Sequence, residues 1–391
     1  MGRQYDVAIV GGGVVGSAVA YYLEKHGFAG SVAIVEKDTT YANSCTARSA
    51  GGIRQQFSTP ENIALSRFGL KLIRDLKSEF GSEADVSFHE QGYLILASPE
   101  GLPVLNANHA LQFAEGADNI ILTPADLAAR FPWIVSDGLG GGCFGLSGEG
   151  WLDPYSLMTL FRKAAASKGA EILAGEVAAI IRDEGTVAAI ALGDGERIGV
   201  GALVNAAGAG AGMLAALAGI ALPVNPRKRY VYVLDCPSAS EALHRAPLTV
   251  DPSGIYFRPE GKHFICGLSP EEQDEPKMLD WEVDYGWFEE RIWPGLAARV
   301  PAFEAVKVIN AWVGHYDYNS FDQNAVIGRH PELVNFYFAN GFSGHGLQQA
   351  PAAGNAIAEL ITLGEYRAID LSRFGYERIA AATPLYEQNV I

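Results

Sequence analysis

Cysteine, positive charge and unbroken apolar runs are all scarce in this chain, and each shortage removes a class of function. The four cysteines, Cys45, Cys143, Cys236 and Cys266, lie far apart with no CxxC pair. That spacing fits neither a zinc site nor a disulfide scaffold and suits a reducing compartment, so a cytoplasmic location is expected. Each cysteine reads as a small buried hydrophobe. Lysine and arginine total 29 against 45 aspartates and glutamates, a formal net charge of -16. The summed field repels nucleic acid and anionic membrane surfaces, and an anionic substrate would need a local basic pocket. Apolar stretches approaching about 18 residues are broken by glycine, so no transmembrane segment is expected. HExxH, EF-hand, P-loop and GxSxG patterns are missing, so neither a metal nor a covalent nucleophile is expected. No repeat, low-complexity tract or Pro/Ser-rich linker divides the 391 residues. A chain of that length suggests about two domains, and two interleaved ones fit both facts.

Glycine, by contrast, is concentrated near the start, in 6-DVAIVGGGVVGSAVAYYLEKHG-27. A secretory signal needs a basic n-region and a small-residue cleavage site, whereas this segment runs into a charged amphipathic helix. Residues 7–10 read as a buried strand, Gly11, Gly13 and Gly16 spell GxGxxG, and residues 17–26 continue as a helix that stops near Gly27. The first glycine allows the tight turn, the second lets a pyrophosphate approach the backbone, and the third lets helix pack on strand. The anion then meets free N–H groups and the positive end of the helix dipole. A second strand, residues 32–35, ends in Glu36, 20 residues beyond Gly16. An acid there can bind a ribose diol and disfavours a 2′-phosphate. Together these features read as a dinucleotide site; the alternative is a glycine-rich turn in an unrelated α/β fold. An NAD enzyme would continue with further βα units, but this chain enters a small-residue loop, 39-TTYANSCTARSAGGIRQQF-57.

Five segments in order now carry a resemblance: the fingerprint with Glu36, the ARSAGGIR loop, 148-GEGWLDPYSLMTLF-161, 202-ALVNAAGAGAGML-214 and 341-GFSGHGLQQAPAAG-354. They resemble the D-amino-acid oxidase superfamily of flavoproteins, and within it the sarcosine oxidase and dimethylglycine dehydrogenase branch. The resemblance implies an α/β fold, α+β overall. A Rossmann-like FAD-binding domain would comprise residues 1–80, 150–217 and 328–391, and an interleaved antiparallel-sheet substrate-binding domain residues 81–149 and 218–327. Strand-like alternation at residues 93–97, 229–234, 255–257 and 263–267, with few helical patterns of comparable length, agrees with a sheet in the second domain. Residues near 177 read as two strands with a turn at Glu184 and Gly185, and residues 347–363 as a helix behind a glycine-rich loop. Non-covalent FAD is implied, with contacts at Gly11, Gly13, Val14, Val15, Gly16, Glu36, Lys37, Ser44, Arg48, Ser49, Ala50, Gly51, Gly52, Val177, Ala207, Gly208, Gly344, His345, Gly346, Leu347 and Gln348. In relatives the loop at 341–346 faces the flavin ring, where a helix N-terminus stabilises negative charge on the reduced form.

The same resemblance assigns substrate roles. Arg54 matches an arginine that binds the substrate carboxylate, a geometry the guanidinium fork suits; the alternative is an arginine paired with flavin phosphate or a surface acid. Tyr256 hydrogen-bonds an amine or carboxylate, or simply packs in the sheet. His345 tunes the flavin, receives a proton or makes a structural hydrogen bond. The triplet 227-RKR-229 reads as a solvated strand start.

Departures from the family pattern matter as much. His315 falls near a cysteine that some relatives use for covalent flavin attachment, and Ala47 and Arg48 stand where others use a histidine. Ile265 occupies the place of an oxygen-activating lysine, and Gln348 that of a second basic carboxylate ligand. Neither charge can be supplied by isoleucine or glutamine, so a dehydrogenase is expected rather than a fast oxidase. The expected reaction is hydride transfer from the carbon beside an amine nitrogen to flavin N5, giving an imine that hydrolyses. The substrate would be an amino acid or N-substituted amino acid. Through 314-GHYDYNSFDQNAVIG-328 and the following loop the chain also resembles FAD-dependent oxidoreductase-domain proteins implicated in respiratory complex I assembly, and β subunits of opine and proline dehydrogenases. An oxidase of sarcosine-like amines that uses oxygen, a flavin-bound scaffold or catalytic subunit with a protein partner or electron acceptor, and a 2-hydroxy-acid dehydrogenase therefore stay open as rival readings.

Overall fold

The computed structural model describes residues 2–276 and 278–388. Two large sheets organise it. The first has a parallel centre: the strand Gln4–Val10 lies between Val32–Glu36 and Arg197–Asn205, which are flanked by Glu171–Ala174 and Phe336–Asn340, all parallel. Antiparallel additions are Val326–Arg329 on one edge and the hairpin Val177–Asp183 and Thr186–Leu192 on Arg197–Asn205. The hairpin turns at Glu184 and Gly185, both at positive φ (39° and 82°).

The central strands are apolar at almost every position because both faces are covered. On one side Val7, Ile9, Ile34 and Val204 pack with the helices Val14–Lys25, Pro154–Ser167 and Gly346–Thr362. On the other, Ala8, Val10, Val35 and Leu203 meet Leu214 and the hairpin residues Ile180 and Ile190. The first and last of those helices approach closely through Gly354, where an added Cβ would lie 2.7 Å from the carbonyl carbon of Ala18.

The second sheet runs Lys307–Asn319, Val224–Asp235, His263–Gly267, Tyr256–Glu260, Leu248–Val250, Tyr93–Ala97, Gly141–Gly145, Asn119–Leu122. It is antiparallel except for one parallel pair, Leu248–Val250 with Tyr93–Ala97. Its own core includes Leu94, Tyr232, Phe257, Phe264 and Phe303. A 13-residue helix, Leu102–Ala114, lies in a region that reads as sheet-forming in the sequence. Its buried positions are Leu105, Asn108 and Gln112, so polar side chains replace the apolar stripe that would announce it. Gln112 Nε2 donates to the Phe57 carbonyl (3.0 Å), and its Oε1 accepts from Asn119 Nδ2 (2.7 Å), satisfying the buried amide.

A two-stranded ribbon, Gly52–Ile53 with Gly150–Trp151, links the long N-terminal loop to the start of Pro154–Ser167. The C-terminal residues are fastened by a buried bidentate ion pair: Arg378 Nε and Nη2 donate to the Asp322 carboxylate at 2.7 and 3.0 Å. No described helix is long and apolar enough to cross a membrane.

Candidate active site

The turn after the first strand is shaped by sterics. Gly11 has φ +102° and an added Cβ would sit 2.2 Å from the Ala206 carbonyl oxygen; at Gly16 it would sit 1.9 Å from the Gly11 carbonyl oxygen. Gly13, the N-cap of Val14–Lys25, is the open one: its Cβ would meet only Thr46 Oγ1, at 3.3 Å. The helix start is therefore bare backbone, with one amide, Val14 N–H, donating to the Thr46 hydroxyl (3.0 Å). Thr46 has no sequence signature, because its partner lies 32 residues away. At the end of Val32–Glu36, the Glu36 carboxylate accepts from the amides of Gly12 (2.7 Å) and Asp38 (2.8 Å), which fixes the acid at the edge of the turn.

From this turn a cleft of about 930 Å3 extends between the two sheets. Of the residues expected at the cofactor, Gly11, Gly13, Val14, Val15, Glu36, Lys37, Ser44, Arg48, Ser49, Ala50, Val177, Ala207, Gly208, Gly344, Gly346 and Leu347 line it. Gly16, Gly51, Gly52, His345 and Gln348 do not. Gly16 sits in the first turn of the helix against the strand; Gly51, at φ +81°, has Leu152 O 2.3 Å from an added Cβ, and Gly52 has Tyr93 Oη 2.0 Å from one. These glycines let the chain pass between crowded neighbours, which is a packing role. The second sheet contributes Arg229, Tyr230, Tyr256, Gly314, His315 and Asp317 to the wall.

Arg54, His345 and Gln348 meet behind that wall although they are far apart in sequence. Arg54 is 2% exposed; its backbone N–H donates to Gln348 Oε1 (2.6 Å), Nη1 donates to the Gln56 carbonyl (2.9 Å), and Nη2 lies 3.0 Å from His345 Nε2. The guanidinium also stacks on Phe57, 4.4 Å from the ring centre. Burial, and then the Arg54 charge, hold the His345 pKa well below its usual value, so the imidazole is neutral and its Nε2 accepts from Arg54. Tyr256 lines the cleft, and burial raises its phenol pKa so that it remains protonated.

Three further residues, Glu149, Asp317 and Arg258, carry no signal in the sequence, and a fourth, Cys45, differs from its expected state. Glu149, 1% exposed, accepts from the Gln55 backbone N–H (2.6 Å) and from Gln56 Nε2 (2.8 Å); burial pushes its pKa up to about 7. Asp317 accepts from the Phe342 N–H (3.1 Å) beneath the glycine loop, and burial raises it to about 6. Cys45, expected as a buried hydrophobe like the other three cysteines, is instead only partly buried: it lines the cleft and donates its thiol to the His315 carbonyl (2.7 Å). Arg258 is buried on the strand that carries Tyr256.

The basic triplet differs from its expected solvated state. Lys228 is 5% exposed at its side chain and pairs with Asp280, while Arg227 and Arg229 pair with Glu272 and Glu275. The acidic segment that follows His263–Gly267 folds back over these cations, so long-range charge pairing withdraws them from water. His315 packs against Trp281 with ring centres 4.3 Å apart and planes tilted by 36°, and its Nε2 lies 3.0 Å from the Asp280 carbonyl. Ile265 is fully buried. Among the described residues, no group of three or more His, Cys, Asp or Glu side chains is placed to hold a metal ion.

This site fits a flavin dinucleotide: a glycine cradle at a helix N-terminus, an acid held at the adjoining strand end, and a cleft wide enough for an extended ligand. Comparison with known proteins agrees. Residues 6–360 match the profile of the FAD dependent oxidoreductase family, DAO. FAD-dependent oxidoreductase domain-containing protein 1 of Xenopus laevis is 42% identical, over 99% of this chain and 85% of its own. The structure of L-proline dehydrogenase from P. horikoshii superposes with a TM-score of 0.86 at 26% identity, covering 98% of this chain and 100% of that one. Glycine oxidase from Geobacillus kaustophilus gives 0.81 at 26% identity, with 95% and 98% covered. The chain therefore belongs to the DAO family of FAD-dependent oxidoreductases.

Proposed function

We propose that the protein oxidises the C–N bond of an amino acid or N-substituted amino acid, acting as a dehydrogenase with non-covalent FAD. The single observation that carries this reading is the buried cluster directly behind the cleft wall, in which Arg54 bonds His345, the residue between the lining glycines Gly344 and Gly346. FAD, when bound, supplies the hydride acceptor. The substrate carbon next to nitrogen would give up its hydrogen with the bonding pair while the nitrogen lone pair forms the C=N bond; the iminium so formed would lose its N–H proton to solvent to give the imine, which water hydrolyses. Arg54, buried one layer behind the glycine loop of the cleft wall, offers a planar cation for a carboxylate that enters past that loop, and Phe57 and Gln348 fix its plane and its backbone. Neutral His345 accepts a hydrogen bond without adding a second positive charge, which leaves Arg54 as the carboxylate anchor. Tyr256, protonated in the wall, donates to a substrate oxygen or accepts from an amine. Ile265, apolar and buried, supplies no cation to stabilise developing superoxide, and the charge of the adjacent Arg258 is paired with Glu260, which favours an acceptor other than oxygen.

The test is anaerobic. The purified yellow protein is expected to bleach with at least one member of a panel of α-amino and N-methyl amino acids and to recover only slowly in air. Bleaching by dithionite alone, or by 2-hydroxy acids alone, would overturn the reading. Arg54→Ala should raise KM for the bleaching amino acid by about 30-fold or more, as loss of a buried charge pair costs about 2 to 5 kcal/mol. An unchanged KM would remove Arg54 from the carboxylate.

A further inference from the structure

Arg258 occupies an inner position of the second sheet, directly opposite Ile265 in the ladder, and is 5% exposed. Apolar residues fill such positions at little cost, whereas a guanidinium there must be desolvated and fully bonded. Its bonds leave the sheet. Nε and Nη2 both donate to the carbonyl oxygen of Ala50, at 2.9 and 2.7 Å, across 208 residues of sequence. Nη1 donates to the Pro259 carbonyl (2.9 Å) and pairs with the Glu260 carboxylate, and the guanidinium lies 5.1 Å from the Trp151 ring centre.

Ala50 lines the cleft, Trp151 pairs with Gly52, and Leu152 N–H donates to the Gly51 carbonyl (3.0 Å). The segment from Ala50 to Arg54 is thus held by the ribbon on one side and by Arg258 on another, with Gln348 on the Arg54 amide. We propose that Arg258 is a positioning residue: its fork, reaching from the second sheet, sets the Ala50 peptide at the cofactor wall and with it the path of the chain to Arg54. Its charge is paired locally with Glu260, so the role rests on the two-pronged geometry. A lysine has one ammonium and cannot place two N–H donors on one carbonyl from that distance. The inference rests on the family's FAD, and only its consequence for Arg54 rests on the proposed substrate.

The probe is FAD itself, titrated into FAD-free protein by flavin fluorescence, so the outcome does not depend on the substrate reading. Arg258→Lys and Arg258→Met are both expected to weaken FAD binding by about tenfold or more and to alter the shape of the bound flavin's visible spectrum. The FAD-free proteins should melt within about 2 °C of the parent, roughly the shift produced by 1 to 2 kcal/mol in a chain of this length. Arg258→Lys binding FAD within about twofold of the parent, with an unchanged spectrum, would overturn the proposal, since charge alone would then suffice. Larger destabilisation of FAD-free Arg258→Lys would overturn it in favour of sheet stability. A parent that bound no FAD would instead contradict the cofactor assignment.

Discussion

Glu149 is the residue whose protonation the fold most clearly controls. Its carboxylate is buried against Gln55 and Gln56, and desolvation outweighs those bonds and the nearby Arg54, raising the pKa from 4.5 to about 7. Between those values the folded chain holds a proton that the unfolded chain has released, so this contribution to stability is full below about pH 4.5 and is lost by about pH 7. The shift corresponds to something on the order of 3 kcal/mol. Asp317, raised to about 6, contributes with the same sign, and His345, depressed, with the opposite one. A difference between variant and parent isolates Glu149 from both. In Glu149→Gln the side-chain oxygen still accepts the Gln55 amide, and a rotated Gln56 amide can meet the new NH2 group. Urea unfolding should therefore find the variant gaining on the parent by about 2 to 3 kcal/mol from pH 5 to pH 8. Parallel stability curves would show that Glu149 titrates normally.

At the scale of elements, the strand–turn–helix at residues 4–25 separates two duties that one motif combines. Gly11→Ala would force a Cβ against the Ala206 carbonyl in a positive-φ conformation, and should cost about 2 kcal/mol or more of folding stability even without FAD. Gly13→Ala meets only Thr46 Oγ1, so the FAD-free protein should keep its melting temperature while FAD affinity falls by about tenfold or more. Melting and FAD titration of the two variants distinguish these outcomes; equal effects on both quantities would show that the glycines are not so divided. This element was legible in the sequence because glycine spacing, apolar run and Glu36 are all local. The strands Tyr93–Ala97 and His263–Gly267 were legible for the same reason. The helix Leu102–Ala114 was not, since its buried face is largely polar. Glu149, Arg258 and Thr46 were hidden because their partners are set by tertiary contacts; no window of sequence shows that Arg258 reaches Ala50. The resemblance named Arg54, His345 and Gln348 separately, and the structure adds that they touch.

For the whole molecule, the cleft is the surface the two sheets share. Val10, Glu36 and Val177 belong to strands of the first sheet, and Arg229, Tyr230 and Tyr256 to the second, yet all six line one space. A ligand that fills it binds only when both sheets are folded and apposed, so its binding free energy adds to the stability of the pair rather than of either alone. Free FAD at about 100 times its Kd should add about 2.7 kcal/mol, and in a chain of 391 residues that is a rise of roughly 3 °C in the melting midpoint. Calorimetry at several FAD concentrations should show one endotherm moving upward with the logarithm of concentration. FMN lacks the adenosine half that would reach Glu36 and Val177, and should move it far less. An endotherm that splits, with only one part responding to FAD, would mean that the cofactor is held by the first sheet alone, and the second sheet's share of the wall would then serve substrate rather than cofactor.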